Sequence, residues 1–576
     1  MEMGDLSMAK YSFSPALNRL KNSLPEHRKP EMIANIRRNW FFPFSAMGLF
    51  CLNARINLGF FLGIPIAFLA ALLVISQIPS LLEWEKKCHV GLRILSFLTA
   101  AGICWGEKVA FCRGWLLSPK TLEMKERIPM LLDIINVLSI LAAVIGVCFA
   151  YFCVLAFWKK FLKVLSESKI FSGIGAAEWV IYGILALAAI GWMVFAFAQT
   201  KAFYETELTD SIICGAIYTS DSPLLVQDNS YLTLTNPEND IRQPLFAVFA
   251  APFMGLPYLI GRLINASTTV EAILMNGVQV LMLFAAHLML SRMMKLDMRK
   301  RVCFMLLVSC TYPQMLFSLM MEQYIVSYFW LAFCMYLMAE KRDSCVFALY
   351  GAGGTLLTSM ALVPFSSKGS PLRSFKMWFL DMLRFCFGFV ALMLFFCRFD
   401  VIFNLVSKLS LYSALSGHEL TFLEKLYQYT AFLHDCLLCP DAGIKVASAT
   451  HISWQLNEAA GINLTGIALL ALAVFSAVWN WDKMSSRFAA LWIGLSTLVL
   501  LIMGWGTTEN GLVLYALYFG WALWLLLFQL AEKIESKLNV RFLLPALSVC
   551  GVVALAAANV PSMIEMVKFA IQYYPT

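Results

Sequence analysis

Residues 302–339 read VCFMLLVSCTYPQMLFSLMM, then Glu322, then QYIVSYFWLAFCMYLMA. Glu322 is the single charge in that stretch, and Arg301 and Glu340-Lys341-Arg342 bound it. A helix of about 20 apolar residues crosses the hydrocarbon core of a bilayer. The stretch therefore reads as two membrane helices that meet at one polar turn. Outward from it, runs free of Lys, Arg, Asp and Glu recur at 56–82, 134–158, 179–200, 272–291, 459–481, 488–508, 510–531 and 542–564. A further helix at 377–397 carries Asp381 and Arg384. Composition agrees, with 60% hydrophobic and 14% charged residues and a mean hydropathy of +0.73. Soluble domains carry about 25% charged residues, so a soluble enzyme or regulator is excluded. The fold class expected is an all-α polytopic membrane protein of about eleven transmembrane helices plus re-entrant and interfacial helices, since an open sheet leaves its edges unsatisfied in lipid.

Basic clusters set the expected orientation. Arg292, Lys295, Arg299, Lys300 and Arg301 place 292–301 in the cytoplasm. Lys159, Lys160 and Lys163 do so for 158–177, and Lys533, Lys537 and Arg541 for 532–541. The polar, basic stretch from Met1 to Arg38 lacks a signal-peptide pattern and belongs on the same side. Helix 179–200 then runs outward, leaving loop 201–242 external. One crossing only fits between 242 and 292, so 243–261, broken by Pro244, Pro252 and Pro257, is expected to lie on the membrane surface. The run 94–106 is too short to span and reads as surface-lying or re-entrant. Segment 344–367, with Gly351, Gly353, Gly354 and Pro364 between two basic flanks, reads as a pair of short helices that dips in and returns. That leaves 403–458 external.

Four regions result: an N-terminal cytoplasmic segment with additional helices (1–178), a membrane core (179–400), a late external loop (401–458) and C-terminal helices (459–576). The net charge of +8 follows from positive-inside anchoring and calls for no nucleic acid. The 16 cysteines lie mostly in apolar runs, where they act as small apolar residues. Cys436 and Cys439 form one CxxC beside His434; zinc needs four ligands, so a loop disulfide or two free thiols is the better reading, and no metal site is assigned.

Chemistry-bearing residues gather in the two loops. The first holds Asp210, Tyr218, Asp221, Asp240 and Arg242 among further acids. A carboxylate at the membrane boundary can serve as general base, with its neighbours orienting an acceptor or a divalent cation; a solvated acidic loop is the plain alternative. Glu322 marks a turn facing the same side, where an acid also complements the helix dipole. The late loop offers His418, Lys425, His434, Lys445 and His451, groups able to hold a phosphate.

An exiting helix, an acid-rich loop, the Arg242-Gln-Pro244-Leu245-Phe246 stretch, a Gly261-Arg-Leu run and a basic cluster follow one another in this order. That order resembles the GT-C glycosyltransferases, such as protein O-mannosyltransferases and lipid A aminoarabinose transferases. Asp210 takes the position of their first-loop Asp, with Ser211 where they often carry Glu, and Arg242 to Phe246 resembles their Pro-Pro-Leu-Tyr stretch. Tyr312-Pro313 to Glu322 resembles their next external turn. The resemblance covers roughly 179–400; region 1–178 has no counterpart in the simplest members.

It implies a GT-C-like fold and a polyprenyl-phosphate-linked sugar donor. Asp210 or Asp221 would be the base, and Asp240, Arg242, Glu322, Tyr218, His418, His434 and His451 would contact substrate. It also implies a glycan, lipid or protein acceptor and a place in the bacterial cytoplasmic membrane, serving the cell envelope with the active loops outside. No Walker or dinucleotide motif accompanies the helices. The competing expectations are a lipid-linked saccharide flippase or transporter, a polysaccharide polymerase or ligase, and a helical scaffold.

Overall fold

The computed structural model describes residues 81–111, 129–204, 216–218, 230–232, 242–342, 344–365, 375–396, 398, 413, 416–417, 419–448, 451–507 and 512–576. The helices are α1 (Val90–Phe111), α2 (Pro129–Ser168), α3 (Ala176–Gln199), α4 (Phe246–Leu263), α5 (Thr268–Met293), α6 (Met298–Ser309), α7 (Tyr312–Leu319) and α8 (Gln323–Ala339). Then come α9 (Cys345–Thr355), a 3₁₀ segment (Leu357–Phe365), α10 (Phe375–Phe395) and α11 (Phe422–Asp435). An antiparallel hairpin, β1 (Ala442–Ser448) with β2 (His451–Leu456), precedes α12 (Leu464–Trp479) and α13 (Met484–Ser496). A π-helical turn (Thr497–Ile502), a 3₁₀ turn (Leu512–Tyr515), α14 (Ala516–Leu538) and α15 (Leu543–Tyr573) complete the chain.

The chain is an all-α membrane protein apart from that hairpin. Among the described residues six helices are long and apolar enough to cross a membrane: α3, α4, α5, α13 with its π turn, α14 with the preceding 3₁₀ turn, and α15. A seventh results if α6 and α7 count as one span. The expected span 56–82 lies almost wholly outside the described residues. The run 94–106 is the middle of the longer α1, which crosses α4 so closely that a Cβ on Gly102 would lie 1.9 Å from the Gly255 carbonyl oxygen.

Local sequence explains the boundaries. Asp297 caps α6 by accepting from Lys300 N (3.0 Å), and Asn463 caps α12 by accepting from Gly466 N (3.0 Å). Thr421 and Glu424 form a capping box on α11. Pro313 opens α7, and the chain bends by 67° between α6 and α7. The expected span 302–321 is therefore a broken one.

Polar contacts sort the helix termini into two ends. At the basic end Arg301 grips buried Glu178 through two bonds of 2.7 and 2.8 Å, Arg292 donates to Lys169 O, and Glu532 pairs with Lys300 and Lys483. At the loop end Thr200 donates to Tyr574 O (2.6 Å), and Tyr204 bonds Thr269 at the start of α5 (2.8 Å). Helix α9 climbs from Arg342 to the level of the second turn of α8, where Ser327 donates to Thr355 O (2.7 Å). The 3₁₀ segment then turns back, bringing Phe365 to 5.3 Å from Phe488 in the second turn of α13.

Helix α4 has the composition of a span, and its termini sit at different depths, the first beside the Ser327–Thr355 contact below the Glu322 turn and the last beside the first turn of α5. Leu245 N donates to Gly354 O (2.9 Å) before it, and Arg262 pairs with Glu271 of α5 after it (3.1 Å). It does not lie bare on the surface: Phe246, Phe249, Met254 and Tyr258 are buried against the bundle. Surface helices carry an amphipathic face; this one is apolar nearly all round and needs cover on most sides.

Candidate functional site

The Arg242 turn is fixed by its own backbone. Arg242 O accepts from Leu357 N (2.8 Å), at the point where α9 stops. Pro244 has no N–H to spend on a helix, and its carbonyl accepts from Nε of buried Arg398 (3.2 Å). Gln243 Nε2 donates to Tyr518 Oη (2.8 Å), which donates on to Ser327 Oγ (3.4 Å). The turn thus ties α4, α8, α9 and α14 together and leaves Arg242 exposed.

The Arg242 guanidinium lies 5.5 Å from the centre of the Trp505 ring, a cation–π distance. Trp505 stands between Gly504 (φ +70) and Gly506 (φ +75), backbone that suits glycine. Its Nε1 donates to Tyr515 Oη (2.9 Å). Lys425 Nζ, donating to Ser416 O (3.2 Å), lies beside Gly504, where a Cβ would come within 2.7 Å of it. Two cations from distant parts of the chain therefore meet the Gly504–Gly506 turn, Arg242 at the indole and Lys425 at Gly504.

Glu322 is fully buried at the start of α8. Gln279 of α5 holds its backbone from both sides, accepting from Glu322 N and donating to Glu322 O (3.3 Å each). The same Gln279 donates to Tyr231 of the first loop (2.5 Å). Gln279 sits about three turns, or about 16 Å, inside α5, so the Glu322 turn is recessed well below the rim formed by Thr269 and Thr200. Tyr324, in the first turn of α8, meets Tyr518 and Tyr515 at ring distances of 4.8 and 5.9 Å. The arrangement gathers the cations Arg242 and Lys425 and the aromatic faces of Trp505, Tyr515, Tyr518 and Tyr324 next to the buried Glu322 turn. It can hold an anionic head group and a polyol.

The first and late loops meet at Tyr218. Its backbone is left-handed (φ +51), its N–H donates to Trp454 O (2.9 Å), and Ala216 O accepts from Trp454 N (2.8 Å), so 216–218 lies alongside β2. The Tyr218 hydroxyl bonds Tyr312 Oη (2.5 Å) and accepts from Trp454 Nε1 (3.1 Å). Burial pushes this phenol well above the ordinary range. Tyr218, expected to touch substrate, is buried and joins the two loops.

His434 ends α11 with Nδ1 3.0 Å from Oδ1 of buried Asp435, whose carboxyl burial pushes up to about 6. Cys436 and Cys439 are free thiols, both raised by burial.

Asp210, Asp221, Asp240 and His418 lie outside the described residues, as does the side chain of His451, whose backbone opens β2. Of the remaining candidates, Arg242 and the Glu322 turn are linked through Trp505, Tyr515 and Tyr324, while Tyr218 and His434 belong to the loop junction. Sequence reasoning missed Gln279, Trp505, Tyr518, Arg398 and Asp435. Gly504-Trp505-Gly506 carried a signal in its paired glycines; a lone Gln or Tyr inside an apolar run did not. No group of three His, Cys, Asp or Glu suited to a metal occurs among the described residues. No family model, curated protein or solved structure matches the chain.

Proposed function

We propose that the protein is an integral-membrane glycosyltransferase that moves a sugar from a polyprenyl-phosphate donor to an acceptor at the external face. The supporting observation is the gathering of Arg242, Trp505, Tyr515, Tyr518 and Tyr324 beside the buried Glu322 turn, between membrane-crossing helices. In this reading the basic end faces the cytoplasm. Arg242, with Lys425 nearby, meets the phosphate, the tyrosine wall meets the sugar, and the polyprenyl chain runs between helices. A carboxylate of the first loop, Asp210 or Asp221, removes the proton of the acceptor hydroxyl as it attacks the anomeric carbon.

The test is sugar transfer from a polyprenyl-phosphate donor by the purified protein and its Asp210→Asn, Asp221→Asn and Arg242→Ala variants. Loss of about 10²–10⁴ in rate is expected from removal of the base. Full turnover by both Asp variants would reject this loop as the source of the base. Labelling of Gln227→Cys in intact cells checks the orientation; labelling only after permeabilisation would reverse it.

A transporter or flippase of lipid-linked saccharides is the second reading. Broken helices beside a mid-height polar site favour it, since α6 and α7 bend apart by 67° at the segment that leads to Glu322. Movement of the intact donor across vesicles, without a new glycosidic bond, would select it.

A further inference from the structure

One intramembrane residue has no part in the recess. His287 of α5 is fully buried, about two turns beyond Gln279 toward the basic end. Among the described residues neither of its ring nitrogens has a hydrogen-bond partner, and the same holds for the hydroxyl of Tyr328 in α8, also fully buried. The two rings face each other at 5.5 Å between centres, tilted by 58°. Trp524 of α14 closes the group at 5.6 Å from the imidazole, and its own Nε1 is committed to Cys436 O.

A neutral imidazole carries one donor and one acceptor. An aromatic face can take the N–H, but it leaves the lone-pair nitrogen without a donor. Burying such groups unpaired is unfavourable, and apolar solvent on the far side of the helices offers no relief. Water is the small species that both donates and accepts, and a bridging water needs only about 2.8 Å to each polar atom.

We propose that a buried water occupies the junction of α5, α8 and α14 and bridges the imidazole of His287 to the hydroxyl of Tyr328. The site takes water as its ligand, with two to four polar partners the usual number for internal water. It places a hydrated, ionisable side chain inside the bundle, on the helix that also carries Gln279, where an intramembrane ionisable group marks a functional position.

Hydroxyl-radical footprinting by X-ray pulses, on the full-length protein in lipid nanodiscs, tests this because radicals form from water where it is bound. His287 and Tyr328 should be labelled several-fold faster than Phe333, which is equally buried on α8 and has no polar atom. Labels no faster than Phe333 would overturn the proposal. In His287→Phe the labelling of Tyr328 should fall several-fold, and in Tyr328→Phe that of His287 should do the same. Unchanged labelling in either folded variant would refute the bridge, and the wild-type measurement stands even where a variant does not fold.

Discussion

Replacing Asp435 with Asn changes one buried carboxyl into a neutral group of the same shape. The side chain has a single described hydrogen bond, to His434 Nδ1, and an Asn Oδ1 can still accept there. Around it stand the hydroxyls of Tyr218 and Tyr312, the thiols of Cys436 and Cys439, and the Asp441 carboxyl; His434 is its potential cation among the described residues. Burial raises the carboxyl from its ordinary 3.8 to about 6.

The folded protein therefore holds a proton that the unfolded chain has lost between these values, and stability falls as pH rises through that window. Above the folded value the charged, buried carboxylate costs about 3 kcal/mol relative to acid conditions. Asp435→Asn escapes that cost. The variant should match the wild type near pH 4 and exceed it by up to about 3 kcal/mol by about pH 7. Denaturant unfolding of the purified protein, followed by tryptophan fluorescence over that range, measures the difference. A wild type more stable than the variant at neutral pH, or a gap independent of pH, would refute the reasoning.

Arg301→Met strands the Glu178 carboxylate, fully buried with Tyr182 as its remaining side-chain donor, and should cost about 3–5 kcal/mol; Glu178→Leu/Arg301→Met should recover most of it in the same unfolding assay. Gly255→Ala puts a Cβ 2.5 Å from Thr99 O, and the forced separation of α1 and α4 should cost about 1–3 kcal/mol in thermal unfolding. Arg242→Ala removes a cation from the recess mouth, and donor KM should rise about 10- to 100-fold if the guanidinium makes a charge-assisted bond to phosphate; an unchanged KM removes Arg242 from donor binding.

Much of the bundle was legible because hydropathy and charge are linear signals. The ends of α3 and α5 fall within four residues of the apolar runs 179–200 and 272–291, whereas α14 and α15 continue past the ends of theirs, to Leu538 and Tyr573. The dip and return at α9 was written in Gly351, Gly353, Gly354 and Pro364. What escaped is what depends on distant partners. Tyr218 looked like a loop aromatic available to substrate, and only Trp454, far along the chain, reveals why it is buried. The hairpin escaped as well, although Ile444, Val446, Ile452 and Trp454 alternate with smaller or polar residues; a short two-stranded unit is weak in water and here depends on packing against Phe569 and Tyr574. Asp435 drew no notice because its consequence lies in burial, which no local pattern encodes.

Helix interruptions and polar side chains share one address in this bundle. The chain breaks between α7 and α8 at Glu322, after α9 at Leu356, and after the π turn at Gly504 to Gly506. Bonds from Arg242 to Leu357 and from Gln243 through Tyr518 and Ser327 to Thr355, with the Arg242–Trp505 stack, bring those breaks together. In a bilayer, backbone freed at a break is tolerated only where protein or a polar cavity receives it. Three breaks gathered at one place therefore need a common polar environment, and scattered kinks would not have produced one. The same convergence sets side chains from α5, α8, α14 and the first loop within reach of one another, so the segment that unwinds the helices is also the segment that builds the recess.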